Sequence, residues 1–281
     1  MGERPKTDYS PFDRPEILLY LFHPRPETGY GGGSGYEELS IPVAGGETIG
    51  GRLYTAGPMS PTLLFFHGNG EIVEDYHDLG PLYARMGLNF MPVDYRGYGR
   101  STGTPGVAAM MGDCHDILEY AAARLSETGH GGPIIAMGRS LGSAPAIELA
   151  YHHPDRVKGL VVESGFARIV PLLRLLGVEA GRYGITEESS FDNGRKIAAY
   201  RGPTLIIHAE NDHIIPFEDG VMLHAMSGSA NKKMLEIKKA DHNTVFQYGL
   251  KDYMEAVARL ASDAGDIRVN VHSGEHRQAF A

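Results

Sequence analysis

Between residues 37 and 262, short apolar runs alternate with longer helix-like stretches, and this alternation restricts the fold more than any other feature of the chain. The runs are Thr62–Phe66, Asn89–Val93, Pro133–Met137, Lys158–Glu163, Pro203–His208 and Lys233–Ile237. They are short, rich in β-branched or aromatic residues, and apolar at successive positions, as strands covered by helices on both faces are. Helical patterns lie between them at Asp78–Met86, Val107–Ser126, Ala144–His152, Glu218–Met226 and Gln247–Ser262. Ahead of them, Glu37–Val43 and Glu47–Thr55 flank Ala44-Gly45-Gly46 and read as an antiparallel hairpin. Together they predict an α/β fold: a mostly parallel eight-stranded sheet with right-handed crossovers and helices on both faces.

One connection is too long for a single crossover. Phe166–Arg201 holds an apolar helical stretch, Ile169–Leu176, and a polar turn, Thr186–Asn193. It predicts a small cap over the C-terminal edge of the sheet, where ligands of α/β folds bind. Phe166, Val170, Leu172, Leu173, Leu175, Leu176 and Val178 would shape an acyl pocket there. The expected organisation is an N-terminal arm and Gly-rich hinge over 1–36, with the hinge at Gly29–Gly35, a domain over 37–262 with the cap at about 166–201, and a polar tail over 263–281. In the arm, Ile17–Phe22 is too short to span a bilayer. It reads as a helix packed on the body, the alternative being peripheral membrane contact. The leader lacks a small-residue cleavage site, so a cytoplasmic location is expected.

Gly138-Arg139-Ser140-Leu141-Gly142 is a G-x-S-x-G sequence directly after one strand-like run and directly before a helix. A sharp strand–turn–helix strains the middle residue and leaves its neighbours no room for side chains, which Gly138 and Gly142 provide. Ser140 would then stand above the sheet at a helix N-terminus, where developing negative charge is favoured. A serine hydroxyl needs a base. Of 13 histidines, His242 is placed best, between the last strand-like run and the last helix. Asp212, after the run Pro203–His208, is the preferred partner for His242; Glu210 and Glu163 are rivals, and Glu163 has an ion pair with Arg139 as its alternative. Asp241 reads as a cap for the last helix.

The chain order Ser140, Asp212, His242 is that of the α/β hydrolases. With it go Phe65-Phe66-His67-Gly68-Asn69-Gly70, Asp94-Tyr95-Arg96-Gly97-Tyr98-Gly99-Arg100-Ser101, and Phe191-Asp192-Asn193 followed by Asp212 and Ile215-Pro216. On these motifs the chain resembles the α/β-hydrolase superfamily, over roughly Glu37 to Ala261, and its small-cap branch of serine-peptidase-like hydrolases and protein depalmitoylases. The resemblance implies an oxyanion hole from the backbone N–H groups of Leu141 and Asn69. It implies a tight loop built with Gly68 and Gly70, and His67 as an organiser of that loop rather than a catalyst. The activity implied is hydrolysis of carboxylic esters or thioesters through an acyl-enzyme on Ser140. A serine aminopeptidase or amidase is the alternative; it needs a carboxylate such as Glu163 or Glu210 to hold the substrate amine. A non-catalytic binding protein on the same fold is a further one.

Composition removes other classes. Asp+Glu number 35 against Lys+Arg 26, a net charge of −9, which is unsuited to neutralising phosphates. Nucleic-acid partners are therefore not expected, and the expected partner is a small-molecule or acyl-group substrate. The single cysteine, Cys114, rules out a disulfide within the chain and reads as a core residue. Asp113-Cys114-His115-Asp116 cannot converge on one ion, because adjacent helical positions diverge by about 100°. No metal and no organic cofactor is expected. Asp94 and Arg96 read as organisers of their turn, and Tyr98 as either pocket lining or scaffold.

Overall fold

The computed structural model describes residues 7–29 and 35–265. Most of the expected hinge, 30–34, and the tail beyond 265 lie outside the described residues. A single sheet of eight strands organises the molecule: β1 (Glu37–Pro42), β2 (Thr48–Leu53), β3 (Thr62–Phe66), β4 (Asn89–Val93), β5 (Ile134–Arg139), β6 (Val157–Glu163), β7 (Thr204–Ala209) and β8 (Lys232–Ile237). Their spatial order is β1-β2-β4-β3-β5-β6-β7-β8. β1 and β2 form the expected antiparallel hairpin, and β2 meets β4 antiparallel. Every other pairing is parallel.

The strand residues alternate between two cores, which explains why the runs are apolar throughout. Leu63, Phe65, Ile135, Met137, Val161, Leu205 and Ile207 join one cluster; Leu64, Phe66, Ala136, Leu160, Val162 and Ile206 join the other. The first cluster is completed by α2 (Leu79–Arg85) and α8 (Val245–Gly265), through residues such as Tyr83, Tyr253 and Val257. The second takes α3 (Val107–Glu127) and α4 (Ser143–His152). Period-two alternation with both faces apolar is the signature of a sheet sandwiched between helices.

The arm is part of the body. Within α1 (Pro15–Leu21), Ile17 and Leu21 are buried, as is Phe22 after it, while Leu19 stays 68% exposed. Packing, rather than free display, accounts for most of this apolar run. The Asp13 carboxylate accepts the Val107 and Ala108 N–H groups at 2.6 and 3.2 Å and so satisfies the start of α3.

The connection between β6 and β7 differs from expectation in one respect. It contains α5 (Ile169–Leu175) and also α6 (Asn193–Ala199), which packs on α4 and on α7 (Phe217–Met226). The last part of the connection is therefore a helix packed against the body on α4 and α7. Phe166, Leu173 and Val178 are buried in the second core, whereas Leu175 is exposed. α8 continues to Gly265, past the expected end of the domain at 262. No helix among the described residues is long and apolar enough to cross a membrane.

Candidate active site

β3 and β5 are neighbours, yet the chain departs from them in opposite directions across the sheet. Such a reversal opens a crevice at the C-terminal strand ends. Phe66 pairs with Gly138 there, so the loop beginning at His67 and the turn at Ser140 sit side by side. Ser140 has φ of 54°, the left-handed region that costs a non-glycine residue strain. Its flanking glycines are required by contact. A Cβ on Gly138 would lie 2.0 Å from the Gly142 carbonyl oxygen, and one on Gly142 would lie 2.1 Å from that of Phe66. Ser143 Oγ donates to the Ser140 carbonyl at 2.6 Å and braces the turn. The Ser140 side of the turn thus opens α4, whose first N–H groups have no partner within the helix.

Asp212 and His242 lie in the loops after β7 and β8, two adjacent strands. The His242 Nδ1–H donates to Asp212 Oδ2 at 2.7 Å, with the Asp212 side chain fully buried. That bond selects the tautomer whose Nε2 carries the lone pair. Asp212 Oδ1 accepts the N–H groups of Ile214 and Ile215 at 3.0 and 2.8 Å. Burial alone would raise the Asp212 pKa; the His242 bond, its charge and the Ile215 N–H outweigh it and hold the pKa below the ordinary value. Ser140 is only 8% exposed and His242 4%. Among the described residues, Ser140 Oγ has no hydrogen bond to His242 in this resting arrangement. Such links often tighten only when substrate is bound.

His208, a residue the sequence does not single out, sits against Asp212. Its Nε2–H donates to the Ile215 carbonyl at 2.9 Å and lies 3.6 Å from Asp212 Oδ2. Burial lowers its pKa. A histidine closing a strand just before an acid-bearing loop was the available signal.

The rivals for the acid role are committed elsewhere. Glu163, at the end of β6, pairs with Arg139 Nε at 3.1 Å and accepts the Tyr253 hydroxyl at 2.6 Å. Burial pushes its pKa up, and Arg139 and Tyr253 only partly oppose that. Glu210 accepts the Lys239 N–H at 2.8 Å and pairs with Lys238. Asp241 Oδ1 accepts the Asn243 N–H and the Thr244 hydroxyl just ahead of α8.

The loop after β3 is held from several sides. His67 Nδ1–H donates to the Gly68 carbonyl at 2.8 Å, and its own carbonyl accepts the Tyr95 hydroxyl at 2.6 Å. Asn69 Oδ1 accepts the His23 N–H at 2.7 Å and the Tyr98 hydroxyl at 2.9 Å, while its Nδ2 donates to His23 Nδ1 at 2.8 Å. Arg25 Nε donates to the Gly70 carbonyl at 2.8 Å. Gly70 has φ of 77°. The arm thus grips this loop directly. The Asn69 N–H itself has no protein acceptor among the described residues. Tyr98 is fully buried and serves as scaffold.

Asp94 accepts the Val73 N–H at 3.0 Å, and Arg96 makes a two-bond pair with Asp113 at 2.7 and 2.6 Å, so both organise their turn. In the run after Asp113 the partners diverge. The Cys114 thiol donates to the Met111 carbonyl, His115 meets His153, and Asp116 accepts the Ala44 N–H. Burial raises the Cys114 pKa, which suits an inert core thiol.

Comparison with known proteins places the chain. A family model described as serine aminopeptidase, S33, matches residues 57–182. The protein bem46 of Schizosaccharomyces pombe is 34% identical over 190 residues, covering 65% of this chain and 62% of that protein. The Caenorhabditis elegans α/β hydrolase domain-containing protein aho-3 is 30% identical over 219 residues, covering 74% of this chain and 60% of that one. The chain therefore spans about three fifths of the length of these relatives. Among solved structures, Est1E from Butyrivibrio proteoclasticus with ferulic acid bound has a TM-score of 0.65 at 19% identity, covering 78% of this chain and 96% of that one. That likeness is one of fold. With the strand order and the strained Ser140 turn, these comparisons give one conclusion: the chain has the α/β-hydrolase fold, and its sequence is similar to proteins of that superfamily.

Proposed function

We propose that the protein is a serine hydrolase of carboxylic esters or thioesters. The observation that carries this reading is the buried 2.7 Å bond between His242 and Asp212, set two and three strands along from the strained Ser140 turn. In the proposed reaction the Ser140 hydroxyl attacks the acyl carbonyl while His242 Nε2 takes its proton. Asp212 orients the ring and stabilises the imidazolium. The tetrahedral oxyanion is met by the N–H groups of Leu141 and Asn69, two donors on adjacent strand ends. Losing one such donor typically costs about 10²–10³ in turnover. His242 then protonates the leaving group. Water, activated by the same ring, releases the acid from Ser140.

An ester or thioester is preferred to an aminoacyl amide for one reason. The carboxylates offered as anchors for a substrate amine, Glu163 and Glu210, are occupied by Arg139 with Tyr253 and by Lys238 with the Lys239 N–H. The exposed face of α5, carrying Leu175, is proposed to meet the acyl chain, while Phe166, Leu173 and Val178 seat the segment. A panel of acyl esters, acyl thioesters and aminoacyl amides tests the reading, with Ser140→Ala as control. Ester or thioester turnover that exceeds amide turnover and disappears in the control is expected. Full turnover by Ser140→Ala, or amide turnover in excess, contradicts it.

A further inference from the structure

Beside the nucleophile lies a buried charged cluster that the reaction above does not use. Arg139, the residue before Ser140, has a 9% exposed side chain that reaches three places at once. Its Nε donates to Glu163 Oε1, its Nη1 pairs with Glu71 Oε1, and its Nη2 donates to the His242 carbonyl oxygen at 2.6 Å. Glu71 passes the connection on: its Oε2 accepts the Gly68 N–H at 2.7 Å and the Tyr76 hydroxyl at 2.6 Å. A Cβ on Gly68 would lie 2.9 Å from both Arg139 Nη1 and Glu71 Oε2, so the loop closes tightly on the pair.

A buried ion cluster is weak evidence for a role in stability. Buried charges are costly to desolvate, and well-packed apolar residues hold a site as well or better. A planar guanidinium can do what an apolar group cannot, fixing several acceptors at set angles. Two of the three tethers lead to the two loops that must keep register with Ser140: the loop with the Asn69 N–H and the loop with the His242 ring.

We infer that Arg139 is a positioning residue that locks the loop after β3 and the His242 loop into one register around Ser140. This inference rests on the serine-hydrolase reading. It assigns Arg139 no contact with substrate. Misplacement of about 1 Å can cost on the order of 10² in rate, whereas the ground-state pocket is little changed.

The test compares wild type with Arg139→Lys, which keeps the charge but cannot span three acceptors. A fluorophosphonate counts reactive Ser140 at completion, and p-nitrophenyl acyl esters give kcat per counted site and KM. The expected result is a fall in kcat per site of about 100-fold, with KM within about threefold. Hydrogen exchange should accelerate together in peptides spanning 67–72 and 240–245. If Arg139→Lys does not fold, Glu71→Gln serves. It should lower kcat per site by about tenfold and loosen 67–72 while 240–245 stays protected. A kcat per site within threefold of wild type, or a loss confined to the fraction of reactive sites, overturns the inference and leaves the serine-hydrolase reading standing. Wild type that takes up no fluorophosphonate overturns both, and unchanged exchange in the two loops overturns the positioning role alone.

Discussion

At the residue scale, Asp212 and His242 show how environment sets chemistry. Asp212 stays charged in a buried position because every oxygen has a donor: Oδ2 the His242 ring, Oδ1 the Ile214 and Ile215 N–H groups. Asp212→Asn removes the acceptor that selects the His242 tautomer, and should lower kcat by up to about 10⁴-fold with substrate binding little changed. The same substitution carries a pH signature. A carboxyl whose folded pKa is below its unfolded value stabilises the fold above the unfolded pKa and loses that contribution as pH falls through the folded one. Urea denaturation should therefore find Asp212→Asn less stable than wild type at pH 7, with the gap closing below about pH 4. A gap that does not narrow as pH falls from about 5 to about 2 would contradict the assignment. The individual residues were unevenly legible. Ser140, Asp212 and His242 stand at strand ends that hydropathy marks. His208 looks like a strand residue, and the reach of Arg139 to the His242 carbonyl spans 103 positions that no spacing rule connects.

At the scale of elements, β3 and β4 follow from local pattern, because a strand apolar on both faces has no other home, and the β1–β2 hairpin follows from the Ala44-Gly45-Gly46 turn between its strands. α6 does not, since Asn193–Ala199 is short and polar and its buried positions include Lys196, which pairs with Glu148 of α4 at 2.5 Å. A buried ion pair hides a helix from any reading based on apolar periodicity. The arm was half legible: the run Ile17–Phe22 predicts a packed helix, but the grip of His23 and Arg25 on Asn69 and Gly70 is long-range. A chain starting at Tyr36 tests the arm. It loses five buried side chains, Tyr9, Phe12, Ile17, Leu21 and Phe22. At about 1.5–3 kcal/mol each, and about 2–4 °C per kcal/mol for a domain of this size, its melting midpoint should fall by at least about 10 °C. Turnover should drop as well, because the loop after β3 loses its clamp. A midpoint and kcat equal to wild type would show the arm to be an ornament.

At the scale of the whole molecule, one sheet brings loops from four strands, β3, β5, β7 and β8, to a single edge, and a hydrolytic site needs that convergence. The acidic net charge of −9 still speaks against nucleic acid, and the lone thiol of Cys114, on the buried face of α3, is remote from any nucleophilic use. The central claim is that Ser140 is the activated nucleophile and His242 its base. The direct measurement is mass spectrometry of the protein after a fluorophosphonate, with Ser140→Ala and His242→Ala beside wild type. One adduct per chain, on the peptide containing Ser140, absent in Ser140→Ala and greatly slowed in His242→Ala, is the predicted result. An adduct on another residue, or equally fast labelling of His242→Ala, would contradict it.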